Sequence, residues 1–593
     1  MHSIFSGDPT AHEHPAEALT RALMATIVTL AIVTFILILA LLAFPRTAYA
    51  CGGLFCDQAN PVNQSAERII FVDHGDGSTT AVIEIQYQGA APEFAWVLPL
   101  PDIANPDEDI RVSSEQALER LQQATNPLYT LTTTVEGTCK GEGDGRGGGI
   151  ATGGDSSTSG SGGAGPGGVV VEASGTVGPF DYEFISVLDG TEEPAQAAID
   201  WLDANGYDLM GGAELLRPYL EMEMKLLAIR LTKGNDVGSI RPLWVKYAGG
   251  TPSIPIRPTA VAAEDDMGVM VFVGGPQRAI PKNYKLLELN DALIDWFNPG
   301  TTYADVVNRA ADEASGQGFV TEYADDSDSV ADVIMPDWER ESWSGYQSES
   351  FGSDAEAVER SFEWSGWDGY TDALASVLVL PDDLSADDVL QCPNCYLDGG
   401  DARVTFDRQR FVTALYEMVI RPMIDTEELV QSQPSFTRMY TTMSAEDMTD
   451  DPVFDFNADL GPVDNQHTAE QFILCSPKVE RFEAPFRIEL PSGAIVYGTE
   501  QGVWPVDLTD DDIPAARRIS QAGTSGEPTV IVDNVDTIDQ ALAVSNEPGQ
   551  AAADGSSDSA SCGCRVVGTA AGPGLAALAW LPVALLWLRR RAR

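Results

Sequence analysis

The sequence predicts an α+β fold, in which an antiparallel-sheet-rich body carries a few helices. Residues 68–87 alternate apolar and polar side chains around a turn at Gly75–Gly77, which is typical of a β-hairpin. Residues 195–205 and 303–314 instead place apolar side chains on one face at helical spacing. The segments between these helices are joined by short Gly, Asn and Pro turns, which favour an antiparallel meander because parallel strands need a longer crossover.

The remaining strands are predicted from short apolar runs that end at turn residues. The run from Phe94 to Pro99 is stopped by proline, and Phe180–Ile185 leads into the first helix. The strands assigned to the meander are Leu226–Leu231, Leu243–Tyr247, Ile256–Ala262 and Val269–Val273.

Both helices carry signals at their ends. Gly206 follows the first helix directly, at a position where glycine commonly ends helices. The second begins at Thr302, which forms a capping-box pattern with Asp305, and Gly316 lies beyond its end.

The body is longer than one ordinary domain, so we expect two or more packed subdomains. Gly and Ser dominate residues 137–168, and the acidic, Ser-rich stretch 325–354 is the natural internal boundary. The predicted segments are 1–50 (signal peptide or N-terminal signal anchor), 51–135 (β-rich start of the body), 136–170 (flexible Gly/Ser-rich insertion), 171–324 (α+β core), 325–370 (acidic, aromatic-containing linker region), 371–545 (second part of the body), 546–561 (spacer) and 562–593 (Cys-Gly-Cys, transmembrane helix and Arg-rich tail).

The N-terminal segment indicates export. Residues 22–44 form an uncharged apolar run long enough to cross the ~30 Å hydrocarbon layer of a bilayer. Ala48-Tyr49-Ala50 fits a signal-peptidase site, with cleavage after Ala50. The run is longer than usual and acidic residues precede it, so an uncleaved anchor is an alternative. Lipid attachment at Cys51 is another, although the preceding residues suit it poorly.

The C-terminal segment indicates a membrane anchor. Cys562-Gly563-Cys564 precedes an apolar stretch at 571–588, which ends in clustered arginine. Arginine after an apolar span favours the cytoplasmic side for that end, which places the body outside. The arrangement resembles the MYXO-CTERM sorting tag of myxobacterial surface proteins, and the resemblance implies processing at Cys562 or Cys564. A plain transmembrane anchor is the alternative.

The charge of the chain limits its partners. The formal net charge is −55 at pH 7, which repels nucleic acid and anionic lipid. Divalent cations and basic surfaces are compatible partners. We therefore expect no nucleic-acid partner, and no cofactor other than calcium.

Six cysteines in the body indicate disulfides, because an even number in an exported chain favours bridges. Their connectivity is not determined by the sequence. An assignment that pairs the cysteines nearest in sequence first (the local-first assignment) joins Cys51 to Cys56, Cys392 to Cys395, and Cys139 to Cys475. The Cys392–Cys395 spacing also suits half a zinc site or a redox pair, but no second pair or nearby histidine completes a zinc site.

The body resembles the bacterial domain of unknown function 2330 (DUF2330) family. The segments that carry the resemblance are Cys51–Cys56, Phe94–Pro101, Val177–Asp181, Trp201–Tyr207, Gly316–Tyr323, Thr437–Thr442 and Asp451–Asn457. They occur in order over most of the body. The resemblance implies membership only, because the family supplies no activity that could be assigned to these residues.

A calcium site is predicted at Asp455, Asn457 and Asp459, with Asp464 just beyond. Carboxylate and amide oxygens at alternate positions can turn toward one calcium ion. The pattern departs from the usual calcium loop, which has glycine at its sixth position, because Gly461 is the seventh residue here. An ordinary polar turn is the alternative.

Catalytic motifs do not stand out. His74 and His467 are the only histidines in the body, and there is no Gly-x-Ser-x-Gly elbow, His-Glu-x-x-His pair or phosphate-binding loop. His74 is predicted to be a loop residue, and His467 a hydrogen-bonding loop histidine. The aromatic residues of 338–370 either pack on the body or grip a sugar or a cationic partner.

These features predict a membrane-anchored acidic envelope protein that binds a surface partner or polymer, without enzymatic activity. The alternative is an extracytoplasmic hydrolase with an unrecognised active site. The hydrolase predicts a deep cleft that holds paired carboxylates, or His467 beside a nucleophile. A redox protein that uses Cys392 and Cys395 is a third hypothesis.

Overall fold

A computed structural model describes residues 63–88, 95–140, 169–188, 191, 193–207, 213–231, 240–261, 263–506 and 513–556. Both terminal apolar segments lie outside these ranges, as do Ala50, Cys51, Cys56, Cys562 and Cys564. Within the ranges, no helix combines the length and the apolar character that crossing a bilayer requires.

The strands account for most of the framework. In chain order they are β1 (Asn63–Asp73), β2 (Ser78–Gln88), β3 (Ala95–Leu100), β4 (Ile110–Val112), β5 (Leu128–Glu136), β6 (Val169–Val177), β7 (Phe180–Val187), β8 (Lys225–Leu231), β9 (Leu243–Ala248), β10 (Ala263–Gly275), β11 (Ala279–Pro281), β12 (Lys285–Leu289), β13 (Gly318–Asp326), β14 (Leu378–Val379), β15 (Thr405–Phe406), β16 (Ser435–Met443), β17 (Phe454–Phe456), β18 (Gln466–Leu474), β19 (Phe486–Glu489), β20 (Ile495–Gly498), β21 (Ala516–Gln521) and β22 (Thr529–Asp533).

The helices lie between and after these strands. In chain order they are α1 (Pro106–Asp109), α2 (Glu115–Thr125), α3 (Pro194–Ala204), α4 (Ala213–Glu221), α5 (Tyr303–Glu313), α6 (Asp328–Ala331), α7 (Asp337–Ser348), α8 (Asp354–Arg360), α9 (Tyr370–Ala375), α10 (Ala386–Gln391), α11 (Pro393–Tyr396), α12 (Arg408–Leu415), α13 (Arg421–Gln431), α14 (Val535–Ser545) and α15 (Glu547–Ser556). A π-helical turn at Tyr416–Ile420 joins α12 to α13, and short 3₁₀ turns lie at Pro258–Val261, Pro299–Thr301, Phe362–Trp364 and Arg481–Glu483. Helices and strands together confirm the α+β class.

A mixed ten-stranded sheet organises the body, in the order β22-β21-β12-β13-β16-β10-β1-β2-β9-β4. The β1–β10 and β12–β13 pairs are parallel, and the others are antiparallel. Two four-stranded sheets, β3-β8-β7-β6 and β20-β19-β18-β5, pack with it. Small pairs form between β11 and β17 and between β14 and β15.

The large sheet is covered on both faces. Ile69 and Phe71 of β1 point into a core shared with β3, β7, β8 and α3, whereas Ile70 and Val72 point into a core shared with α2 and the helices of residues 328–431. A strand segment buried on both faces is a continuous apolar run, as residues 69–72 of β1 are here. A third core packs β12, α5, β19, β20 and α14 together at the β21 end of the sheet.

The predicted hairpin is confirmed by β1 and β2, which pair antiparallel around Gly75 and Gly77, both with positive φ. The predicted meander is wrong. β8 joins the sheet of β3 and β7, whereas β9 pairs with β2, and β10 lies between β1 and β16. The stretch from Ile256 contains a 3₁₀ turn and no strand. Strand pairing is decided by long-range packing of apolar faces, and the short turns did not reveal it.

Residues 325–370 differ from the predicted linker region. They contain the end of β13, the helices α6, α7 and α8, and the start of α9. Trp343, Tyr346 and Trp364 are buried and contact one another, with ring centroids 5.3–5.7 Å apart. These aromatic side chains pack on the body, and their buried area outweighs the acidic composition of the stretch.

The two predicted helices form, as α3 and α5. Gly206 follows α3 with a φ of +81°, and Gly316 lies beyond α5 with a φ of +71°. The predicted capping box at Thr302 does not form. The Thr302 hydroxyl instead accepts a hydrogen bond from the backbone N–H of Asp295, at 2.8 Å. Thr302 therefore fastens the loop before α5 to the start of the helix.

Candidate functional site

A half-open cleft of about 430 Å³ lies where the β21 end of the large sheet meets the sheet of β5 and β18. The adjacent strands β21, β12 and β13 line it together with β5, β18 and the loop between β12 and α5. Aliphatic and aromatic side chains from these elements mix with a few charged ones. This composition is typical of a small-molecule site.

Tyr129 and His467 face each other in this cleft because of strand register. β5 and β18 run parallel, and Tyr129 is the register partner of His467. Their rings stack with centroids 4.8 Å apart, and Trp296 meets Tyr129 edge-on at 4.9 Å. Burial lowers the pKa of His467, although Asp464 opposes this effect, so the ring is held toward its neutral form.

Two β-bulges turn charged residues toward the cleft. In β13 the pairing with β16 skips Glu322, and in β21 the pairing with β12 skips Arg517. A bulge inserts one residue and re-aims its side chain, which is why bulges are frequent next to functional sites. Glu322 and Arg517 thereby join Thr321 and Ser520, which also line the cleft.

Glu322 is buried and forms an ion pair through one carboxylate oxygen and a hydrogen bond through the other. Its Oε2 lies 2.6 Å from Nε of Arg438, and its Oε1 accepts a hydrogen bond of 2.5 Å from the Tyr303 hydroxyl. Burial raises the pKa of the Glu322 carboxyl, and the Arg438 charge opposes this shift. Arg438 is anchored in turn by Thr125 and Asn126. This network fixes the position of Tyr303 at the edge of the cleft.

Only one of the two carboxylate oxygens of Asp291 has a hydrogen-bond partner. Its Oδ2 accepts a hydrogen bond from the backbone N–H of Ser492 at 3.0 Å, whereas Oδ1 is buried without a hydrogen-bond partner. Burial raises the pKa of this carboxyl, against the hydrogen bonds from Ser492 and the charge of Arg517. The loop is held in place by Trp296, whose indole N–H donates to the Asp291 carbonyl at 2.9 Å.

Arg278 is a half-buried cation with an incomplete set of partners. Its Nη1 donates to the carbonyl of Gly461 at 3.0 Å, and its Nε is buried without a partner. Burial lowers its pKa, and the charge of Glu527 opposes the shift. Arg517, in contrast, forms an ion pair with Glu288 at 3.3 Å. The arrangement can therefore bind a ligand through Arg278 and Asp291.

The predicted calcium residues lie beside this cleft, at the end of β17. Their side chains hold a neighbouring turn: Asn457 Nδ2 donates to the carbonyls of Gly523 and Gly526 at 2.7 and 2.9 Å, and Asp459 Oδ2 accepts from the Gly526 N–H at 2.6 Å. Asp455 pairs with Lys282 at 2.7 Å. Over the described ranges, no group of three or more His, Cys, Asp or Glu side chains is arranged to hold a metal ion. Calcium binding stays a prediction.

Two disulfides join the cysteines within the described part of the chain. They link Cys139 to Cys475 and Cys392 to Cys395, in agreement with the local-first assignment. The first ties the end of β5 to the end of β18, the two strands that carry Tyr129 and His467. His74 lies at the hairpin turn, where its Nε2 is 2.8 Å from the Thr80 hydroxyl.

The sequence drew attention to His467 but not to Arg278, Asp291 or Glu322. Arg278 and Asp291 lie in no motif, and the resemblance that includes Glu322 assigns it no role, so no local spacing could reveal their meeting in one cleft. The bulge at Glu322 and the unpartnered Oδ1 of Asp291 are visible only in three dimensions.

Comparisons with known proteins give one match. A family model described as an uncharacterized protein conserved in bacteria, DUF2330, matches residues 45–336. No curated protein and no solved structure matches the chain.

Proposed function

Because the chain belongs over residues 45–336 to the uncharacterized DUF2330 family, we propose a function from its own features: an exported, membrane-anchored envelope protein whose body binds a small ligand in the cleft. The apolar segments 22–44 and 571–588 support export and anchoring. The net charge of −55 supports an acidic surface outside the membrane.

The cleft is the observation that carries the binding role. It has the volume of a small-molecule site, and its lining combines aromatic rings with a few polar atoms that lack partners. Buried polar atoms in folded proteins are nearly always hydrogen-bonded, so unpartnered ones in a cleft indicate where a ligand completes the structure.

A ligand screen with a blocked cleft tests this function. We expect compounds from a chemically mixed library to raise the melting temperature of the purified chain, because a ligand of the native state stabilises it by RT ln(1 + [L]/Kd). The Ser520→Trp variant fills the cleft and should lose the shift. Ser365→Trp, a matched change at an exposed serine outside the cleft, should keep it. Equal shifts in Ser520→Trp, or no stabilising compound, would contradict the proposal.

A hydrolase is the second candidate, because His467, Asp291 and the hydroxyls of Thr321, Ser492 and Ser520 line the same cleft. Binding is favoured because, among the described residues, no hydrogen bond joins His467 to a hydroxyl, the contact that activates a nucleophile. Mass spectrometry of each screened ligand after incubation separates the two. Conversion that is lost in His467→Phe would establish the hydrolase.

A further inference from the structure

Two oppositely charged groups in the cleft lack complete partners. Asp291 Oδ1 and Arg278 Nε are both buried without a hydrogen bond. Removing a charged group from water is costly unless another group replaces the lost hydrogen bonds. A bound molecule that offers a donor to Asp291 and an acceptor to Arg278 would replace them.

These two groups do not satisfy each other. No ion pair within 4.0 Å joins Arg278 to Asp291. Each is fixed by a separate part of the backbone, Asp291 by the N–H of Ser492 and Arg278 by the carbonyl of Gly461. A ligand that contacts both must therefore carry its two polar ends apart from each other.

The other charges of the cleft need no ligand. Glu322 is paired with Arg438, and Arg517 is paired with Glu288. The charge requirement of a ligand is thus set by Arg278 and Asp291 alone: one anionic end and one cationic end.

The size of the cleft indicates the size of the ligand. A volume of about 430 Å³ corresponds to roughly fourteen waters at about 30 Å³ each, so a molecule of some fifteen non-hydrogen atoms fits. Tyr129, Trp296 and Tyr303 supply aromatic surface for an apolar or planar group. A dipeptide with one aromatic side chain has this size, and its charged ends are separated by an extended backbone.

We propose that the cleft binds a dipeptide-sized zwitterion, with its carboxylate at Arg278 and its ammonium group at Asp291. The aromatic side chain packs against Tyr129 and Trp296. This inference rests on the proposed binding function and names the ligand class of the same site.

Three peptides test the two charged contacts separately by isothermal titration calorimetry on the full chain: glycyl-phenylalanine, its N-acetyl form and its C-terminal amide. We expect the unmodified peptide to bind, and each blocked form to bind about tenfold more weakly or worse, because hydrogen bonds between charged groups are stronger than those between neutral ones. Acetylation removes the partner of Asp291, and amidation removes the partner of Arg278.

Variants assign each penalty to one residue. In Asp291→Asn, acetylation of the peptide should no longer weaken binding, whereas amidation should still weaken it (the acetyl penalty and the amide penalty). In Arg278→Gln the amide penalty should disappear and the acetyl penalty should remain. Arg278→Lys keeps the charge and should keep the amide penalty. Arg517→Gln, a matched arginine of the same cleft that already has a partner, should keep both. Melting curves identify any variant that fails to fold. If Arg278→Gln does not fold, Arg278→Met, which also removes the positive charge, takes its place.

The outcomes separate this inference from the proposed function. Equal binding of the three peptides, or penalties unchanged in Asp291→Asn and Arg278→Gln, would overturn the zwitterion. Absence of peptide binding, with a compound of different charge found by the screen against Ser520→Trp, would also overturn the zwitterion but retain the binding function. Failure of that screen would remove both.

Discussion

Loss of the Cys139–Cys475 disulfide should destabilise the protein far more than loss of Cys392–Cys395. The first bridge spans 336 residues of chain and the second spans 3. A crosslink restricts the unfolded chain by an entropy that grows with the logarithm of the loop length, which gives about 6 kcal/mol for the long loop and about 2 kcal/mol for the short one at 25 °C. The predicted difference in the free energy of unfolding is therefore about 4 kcal/mol.

Native contacts reinforce this ranking. Cys139 is buried with Ile473 and Ala484, and the Cys475 N–H donates to the carbonyl of Glu136 at 2.7 Å. The bridge thus closes one end of the β5–β18 pair, whose other end carries the Tyr129–His467 stack of the cleft. Loosening this end should also weaken ligand binding in the cleft.

Urea unfolding followed by tryptophan fluorescence measures both effects in matched double variants. One variant carries Cys139→Ala with Cys475→Ala, and the other carries Cys392→Ala with Cys395→Ala. The first should lose several kcal/mol more than the second, at similar denaturant dependence. An equal or larger loss in the Cys392/Cys395 variant would refute the loop-length reasoning and place the stabilisation in local contacts.

Three further predictions concern charges at the cleft. Arg438→Met leaves Glu322 buried without its charged partner and should lower the free energy of unfolding by about 3–5 kcal/mol. In urea unfolding, adding Glu322→Gln to this variant should recover part of the loss. An Arg438→Met variant as stable as the wild type would contradict the network. Asp291→Asn should stabilise the free protein by about 1–3 kcal/mol at pH 8, because a buried carboxylate oxygen without a hydrogen-bond partner is costly. Burial raises the pKa of Asp291, so the wild type loses stability as pH rises through the raised pKa. The gain in melting temperature of Asp291→Asn over the wild type should therefore be smaller at pH 4 than at pH 8. A gain that is the same at both pH values would argue against the charged carboxylate as its cause. Burial lowers the pKa of His467 below its usual 6.5, so below pH 6.5 the unfolded chain binds more protons than the native state, which loses stability on acidification. Between pH 7.5 and pH 5 the melting temperature should therefore fall less in His467→Phe than in the wild type. An equal fall in both proteins would show that the ring does not titrate as inferred.

Local features of the fold were predictable from the sequence. The β1–β2 hairpin follows from alternation around Gly75 and Gly77, and the helices α3 and α5 follow from apolar spacing. These features depend on interactions between near neighbours in the chain, which a single sequence displays directly.

Long-range features were not predictable in the same way. β10 lies between β1 and β16, and no turn signal near β10 indicates either neighbour. Composition suggested a linker at 325–370, whereas Trp343 and Trp364 contribute large buried surfaces there. The cleft was not predictable for the same reason, because its charged residues come together only when strands distant in the sequence pair.

The order of strands in the large sheet bears on where this protein can be divided. β13 ends at Asp326, which is paired directly with Ser435 at the start of β16. The helices between them are thus one long hairpin connection, which folds back to cover a face of the sheet it interrupts. The family match stops at residue 336, inside that connection, while β16 lies beyond it and separates β10 from β13. A fragment cut at that boundary would leave both of these strands with open backbone edges. The segment matched by the family model is therefore shorter than the segment needed to complete the large sheet.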